Sequence, residues 1–275
     1  MSPIEILFLR FLAGFLALCA IHRRITPFLG WRVEALFAVA GAVGVTLYFL
    51  MENVALTMTN ASDVGVIVAA SPLFIGLIAA FVTREEPVRP AFFAGFAIAI
   101  AGIALIGIQG FSSEGGATRA EGCLLALVAA MAWAVYSTVG KRIAQLGLST
   151  IATTKRTFAW GLAAMLPFLA PMGFGQGADG PGGMSLATAL CDPVVLANLA
   201  FLGLLASAAC YAMWNAATAT IGVVPTSAYI YLSPVVTVAC SVAVLDEPLT
   251  WFVALGVALT ISGLALSEFG GRRRA

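Results

Sequence analysis
The chain has 275 residues, 61% of them hydrophobic and 10% charged, with 14 Lys and Arg against 13 Asp and Glu. About a quarter of a soluble domain's residues are charged and cover its core, so a water-soluble fold is excluded and the bilayer is the expected solvent. A net charge of +1 leaves no concentrated basic face, which excludes a nucleic-acid partner.

The apolar runs fall at about 3–21, 33–51, 61–83, 90–111, 122–140, 151–170, 194–217, 222–244 and 250–269. Each has the roughly 20 residues that cross about 30 Å of hydrocarbon at 1.5 Å per residue. An all-α polytopic membrane protein with nine spans is expected. The first run opens with Pro3 and Glu5, lacks a basic leader and is followed by "HRR", so it reads as a span and not as a signal peptide. The five cysteines, Cys19, Cys123, Cys191, Cys210 and Cys240, show no CxxC or metal spacing. Four of them lie in apolar runs, where a free Cys acts as a small hydrophobe. Neither a metal nor a cofactor is expected.

The basic residues orient the chain. Arg23, Arg24 and Arg32, then Arg84 and Arg89, then Lys141, Arg142, Lys155 and Arg156, and finally Arg272, Arg273 and Arg274 all fall on one side if the spans alternate. The other side keeps Arg119, although it includes the Gly-rich loop 171–193. The excess of Lys and Arg on cytoplasmic loops places the "HRR" loop and the C-terminus in the cytoplasm of a multi-pass cell (inner) membrane protein, with Met1 outside.

A repeat runs through this pattern. An offset of 162 places Asn53 on Asn215, Ala55 on Ala217, Ser71 on Ser233 and Pro72 on Pro234. An offset of 161 then pairs Glu86 with Glu247, Pro87 with Pro248, Gly95 with Gly256, Ala97 with Ala258 and Gly102 with Gly263. Self-similarity at a fixed offset marks a duplicated unit, here 1–111 and 119–269. "TREEPVR" lies on the basic side and "LDEPLT" on the other, so the copies are expected to face opposite ways, as in many secondary transporters.

Pro72 and Pro234 fall near the middle of their spans. An interior proline removes a backbone hydrogen bond and kinks a helix, and Ser71 and Ser233 are placed to satisfy the freed carbonyl. Ser71, Pro72, Ser233 and Pro234 are therefore the expected hinges, a static packing kink being the alternative. The Glu-Pro signals suit turns into the next helix. Gly95 and Gly102, like Gly256 and Gly263, are two turns apart and present one face for close helix packing.

Aromatic residues mark the candidate substrate site. Trp133 and Tyr136 share a face with Ser137 on the fifth run; Trp160 is central in the sixth; Tyr211, Trp214 and Asn215 share a face of the seventh; Tyr229 flanks Pro234; Tyr48 is on the second. Trp31 and Trp251 fit an interfacial belt. Trp133 and Trp160 are far from either boundary, and their N–H groups need partners, which a wet central cavity supplies. Arg10 and Arg156 hold similar places in the two halves. Each either snorkels to an interface or pairs with a substrate carboxylate or a span-end acid. No acid lies deep in a run: Glu5, Glu34, Glu52, Asp63 and Glu268 are near ends, and His22 is in a loop. Facilitated transport is preferred over proton coupling on that ground.

The strings "LFLRF", "ASDVGVIVAASPLF", "REEP", "AMAWAVYS", "MWNAA", "YLSPV" and "LDEPLTWFVALGVALTISG" resemble the drug/metabolite transporter superfamily, specifically its EamA-type exporters. Within these, the bacterial amino-acid exporter branch, aromatic amino-acid exporters included, is similar. The resemblance implies ten helices in two inverted five-helix halves, export of small metabolites by alternating access, and a monomer in the lipid bilayer. Four runs in the first half against five in the second depart from that plan, and a further helix is expected ahead of the first. A membrane enzyme would cluster His, acids or Cys, and a channel would show a filter loop or charged ring; neither pattern is present in the sequence.

Overall fold
The computed structural model describes residues 1–24, 27–82, 90–111, 116–175, 186–245 and 250–269. The Glu-Pro signals at 86–87 and 247–248 and the basic tail at 272–274 lie outside the described residues. Among the described residues every regular element is helical.

Helix α1, Pro3–Ile21, opens with a capping box: the Ser2 hydroxyl accepts the Glu5 N–H at 3.3 Å and the Glu5 carboxylate accepts the Ser2 N–H at 2.8 Å. Proline at the first helical position costs nothing there, because that N–H is unpaired in any helix. Helix α2, Trp31–Met58, contains a π-helical stretch at Ala42–Leu47. It runs past the expected end at 51, because Glu52, Asn53 and Thr57 continue the helix that their polarity seemed to close. Helix α3, Ala61–Val68, is followed by α4, Ser71–Phe81. Then come α5, Pro90–Phe111; α6, Gly116–Ala144; and α7, Thr150–Leu169, capped by the Ser149 hydroxyl. Helix α8, Pro193–Ile221, is capped by Asp192 and contains a π-helical stretch at Phe201–Ala209. Gly222, at φ +94°, ends it. Helix α9, Val223–Ser227, tightens into a 3₁₀ turn at Ala228–Leu232, and α10, Ser233–Leu245, and α11, Trp251–Phe269, complete the chain.

Five of these stretches are long and apolar enough to cross a membrane: Pro3–Ile21, Trp31–Met58, Ala61–Phe81, Ala117–Ala144 and Pro193–Ile221. Phe93–Leu105 and Trp251–Leu266 are apolar but shorter.

At each Ser-Pro pair the helical geometry changes. Two turn residues, Ala69 and Ala70, separate α3 from α4 within the apolar stretch Ala61–Phe81, and a 3₁₀ turn runs into α10 at Ser233. A proline in the first turn of a helical segment needs no donor. The carbonyl that Pro72 would have left bare is that of Val68, and the Ser71 hydroxyl donates to it at 2.5 Å. In the second copy the Ser233 N–H donates to the Ile230 carbonyl.

The chain forms two compact units, each made of two separate stretches: 1–50 with 139–222, and 51–138 with 223–275. In the first unit α1 crosses α8 at Gly14 and Gly203, and α2 crosses α7 at Gly41 and Gly161. A Cβ on Gly14 would come within 2.8 Å of the Gly203 carbonyl, and one on Gly41 within 2.5 Å of the Gly161 nitrogen. Phe11, at the centre, meets Phe49 at 5.0 Å and Phe158 at 4.9 Å between ring centroids, both edge to face. In the second unit α5 packs along α11. A Cβ on Gly102 would come within 2.6 Å of the Gly256 carbonyl, and one on Gly263 within 2.5 Å of the Gly95 carbonyl. Around them Ala55, Val64, Ile67, Leu73, Ala99 and Leu264 are buried together.

Candidate substrate-handling residues
The first unit holds Tyr48, Arg156, Trp160, Tyr211, Trp214 and Asn215. Tyr211 is 2% exposed; its ring packs edge to face on Phe158 at 5.2 Å, and its hydroxyl donates to the Gly44 carbonyl. Gly44 lies in the π-helical stretch of α2, whose wider turn turns a carbonyl toward α8. Tyr48 stacks edge to face on Phe49 at 4.6 Å. Asn215 donates to the Thr154 hydroxyl at 3.0 Å, tying α8 to α7. Trp214 is half-buried.

Arg156 and Trp160 meet at Glu34. The carboxylate accepts Arg156 Nε at 3.1 Å and the Trp160 indole N–H at 3.0 Å on one oxygen, and Arg156 Nη2 on the other. Arg156 Nη2 also reaches the Pro27 carbonyl at 3.0 Å, and the guanidinium lies 5.4 Å from the centre of the Phe37 ring. Glu34 is 5% exposed although it sits in the first turn of α2. Of the two fates expected for Arg156, pairing with a span-end acid is therefore realised. The Trp160 N–H finds a carboxylate, so it gives no support to a wet cavity. Arg10 does not snorkel either: it is 7% exposed, donates to the Ser207 hydroxyl at 3.0 Å and lies 4.3 Å from the centre of the Phe49 ring.

The second unit holds Trp133, Tyr136, Ser137, Tyr229 and the Ser-Pro pairs. Trp133 and Tyr136 lie 5.1 Å apart between ring centroids, as their spacing predicts, and the Ser137 hydroxyl donates back to the Trp133 carbonyl at 2.8 Å. Tyr136 is buried and Trp133 half-buried; Tyr229 is 77% exposed. The same unit contains a buried ion pair that aromatic placement does not disclose. Asp63, fully buried, accepts Arg119 Nε at 3.0 Å, Arg119 Nη2 at 2.7 Å and the Thr59 hydroxyl at 2.9 Å, all on one oxygen. Its other oxygen meets no donor among the described residues. Among the described residues no group of His, Cys, Asp and Glu is spaced to hold a metal.

A profile of the EamA-like transporter family matches residues 1–108 and again 120–269. The chain belongs to the EamA-like transporter family. A probable terminal-alkyne amino-acid exporter of Streptantibioticus cattleyicolor is 31% identical over 245 residues, 87% of this chain and 76% of that protein. A probable amino-acid metabolite efflux pump of Salmonella typhimurium is 31% identical over 212 residues, 76% of this chain and 67% of that one. An uncharacterized transporter of Archaeoglobus fulgidus is 26% identical over 224 residues, 82% and 72% of the two chains. A solved crystal structure shares the fold at a TM-score of 0.66 and 21% identity, covering 99% of this chain and 90% of its own. This EamA-like chain is thus a multi-helix membrane transporter by family, with relatives named as transporters and exporters, not as enzymes.

Proposed function
We propose that this EamA-like protein exports small metabolites from the cytoplasm, foremost amino acids with apolar or aromatic side chains, by alternating access of two inverted halves, 1–111 and 119–269. It acts as a monomer in the inner membrane with its C-terminus in the cytoplasm.

The observation that carries the reading is the reciprocity of the glycine crossings. At the offset of 161, Gly95 corresponds to Gly256 and Gly102 to Gly263. Gly102 meets Gly256 and Thr260, while Gly263 meets Gly95 and Ala99. Residue i touching j of the copy, and j touching i, is the signature of a two-fold axis. Contacts that run in opposite order along α5 and α11 support an antiparallel pair, as two copies inverted about an axis in the membrane plane would require. The first unit follows the same rule: Gly203 meets the Arg10 carbonyl of α1, and Gly41 meets the Thr157 carbonyl of α7. The π-helical stretch of α2, shifted by 162, falls within that of α8.

Amino acids are favoured as cargo by the names of two relatives, each 31% identical, and the half-buried Trp133 beside Tyr136 would suit an apolar side chain. The test is counterflow in proteoliposomes loaded with L-phenylalanine, L-leucine or L-lysine. Saturable exchange of the first two is expected. Ion conductance without counterflow would sink the reading.

A further inference from the structure
We propose that Glu34, Arg156 and Trp160 form the site that reads the charged head group of the cargo, an amino-acid zwitterion: its carboxylate takes the donors of Arg156 Nη1 and its ammonium takes Glu34. This rests on the amino-acid export reading and specifies which end of the molecule is recognised, and where.

The guanidinium has five N–H donors. Nε and Nη2 are engaged by Glu34 and Pro27, whereas Nη1 is buried and meets no acceptor among the described residues. A buried charged donor of this kind requires an acceptor, and a carboxylate is the one that matches its charge. The Glu34 oxygen that accepts Arg156 Nη2 takes one described donor, whereas the other takes two. A carboxylate oxygen accommodates a second donor. The same ion pair thus offers a cationic donor on Arg156 and an anionic acceptor on Glu34. An α-amino acid presents the complementary pair one carbon apart.

Charge balance sharpens the choice. Glu34 and Arg156 together are neutral, and both are shielded from water, with side chains 6% and 12% exposed. A zwitterion leaves the site neutral. A carboxylate alone or an amine alone would leave one uncompensated charge away from water, which is heavily penalised. The Trp160 indole holds Glu34 in place, and the Phe37 ring lies beside the guanidinium. Both helix starts lie by basic residues, Arg23 and Arg24 before α2 with Arg32 in its first turn, and Lys141 and Arg142 before α7. That puts the site at the cytoplasmic end, where an exporter loads its cargo.

The test is counterflow of radiolabelled L-phenylalanine in proteoliposomes, with 3-phenylpropionate and 2-phenylethylamine as competitors. In the wild type both competitors should be about tenfold or more weaker than phenylalanine, the worth of one charge-assisted hydrogen bond. Glu34→Gln leaves a cationic site and should bring 3-phenylpropionate level with phenylalanine; Arg156→Gln leaves an anionic site and should do the same for 2-phenylethylamine. A merely structural pair would not invert the order in this way. The double variant E34Q/R156Q carries no buried charge and guards against misfolding of the single variants; it should keep a monodisperse protein and lose discrimination between head groups. An unchanged competitor order in a folded double variant would overturn the proposal while leaving amino-acid export standing. A wild type that exchanges other metabolites but no amino acid would overturn both.

Discussion

Asp63 gathers the Arg119 guanidinium and the Thr59 hydroxyl on one oxygen in a fully buried position. Removing one partner of a buried ion pair costs about 3–5 kcal/mol, because the other charge is stranded. Asp63→Ala should therefore lower the melting temperature of the purified protein steeply, whereas Asp63→Leu with Arg119→Met should recover most of the loss. A small shift in the single variant would show that Arg119 turns to water instead. Trp133 makes a different prediction. Its indole is half-buried against Tyr136, so Trp133→Ala should reduce counterflow with little change in melting temperature, and wild-type rates would remove it from the path of the cargo. Which aromatic residues share a helix face was legible in the sequence, since helical spacing fixes faces. What each side chain touches was not. Trp160 and Glu34 lie 126 positions apart, and nothing local to either residue announces the other. Glu34 itself read as an acid at a span end because burial depends on α7, which the local sequence around it does not contain.

At the level of single helices, the close crossings and the broken helices carry the predictions. Gly263→Val places carbon against the backbone of Gly95 and Ala99, with Cβ as near as 2.4 Å, so the helices must part. Overpacking typically costs about 1–3 kcal/mol, and backbone on the far side cannot yield as a flexible side chain can. Gly140→Val, on a glycine with nothing within 4 Å, is the control and should be nearly neutral in a thermal melt. Pro72→Ala restores the backbone donor that α3 and α4 lack between them, which favours one continuous helix. Turnover should fall while the concentration for half-maximal exchange changes little; unchanged turnover would reduce the break to a packing device. The glycine spacing was legible because two turns bring both residues to one face. Where each proline falls was legible, but sequence does not show how the helical geometry changes around it.

For the whole protein, orientation is the property most exposed to test. Cys191 is exposed just ahead of α8, within the loop 171–193 expected outside. A membrane-impermeant maleimide should label it in intact cells, while a tag on the C-terminus should become accessible only after the membrane is opened; the reverse pattern would invert the topology. The duplication is read from residue identities alone. The grouping of the chain into compact units is not, because each unit joins stretches more than 80 residues apart, and the offset that relates the two copies says nothing about which helices share a core. That interlacing has a practical consequence. A gene divided between codons 111 and 116 would encode two fragments, neither holding all of either core. Made alone, each fragment should be cleared by proteolysis; made together, they should find one another in the bilayer and restore transport, as two mutually dependent polypeptides.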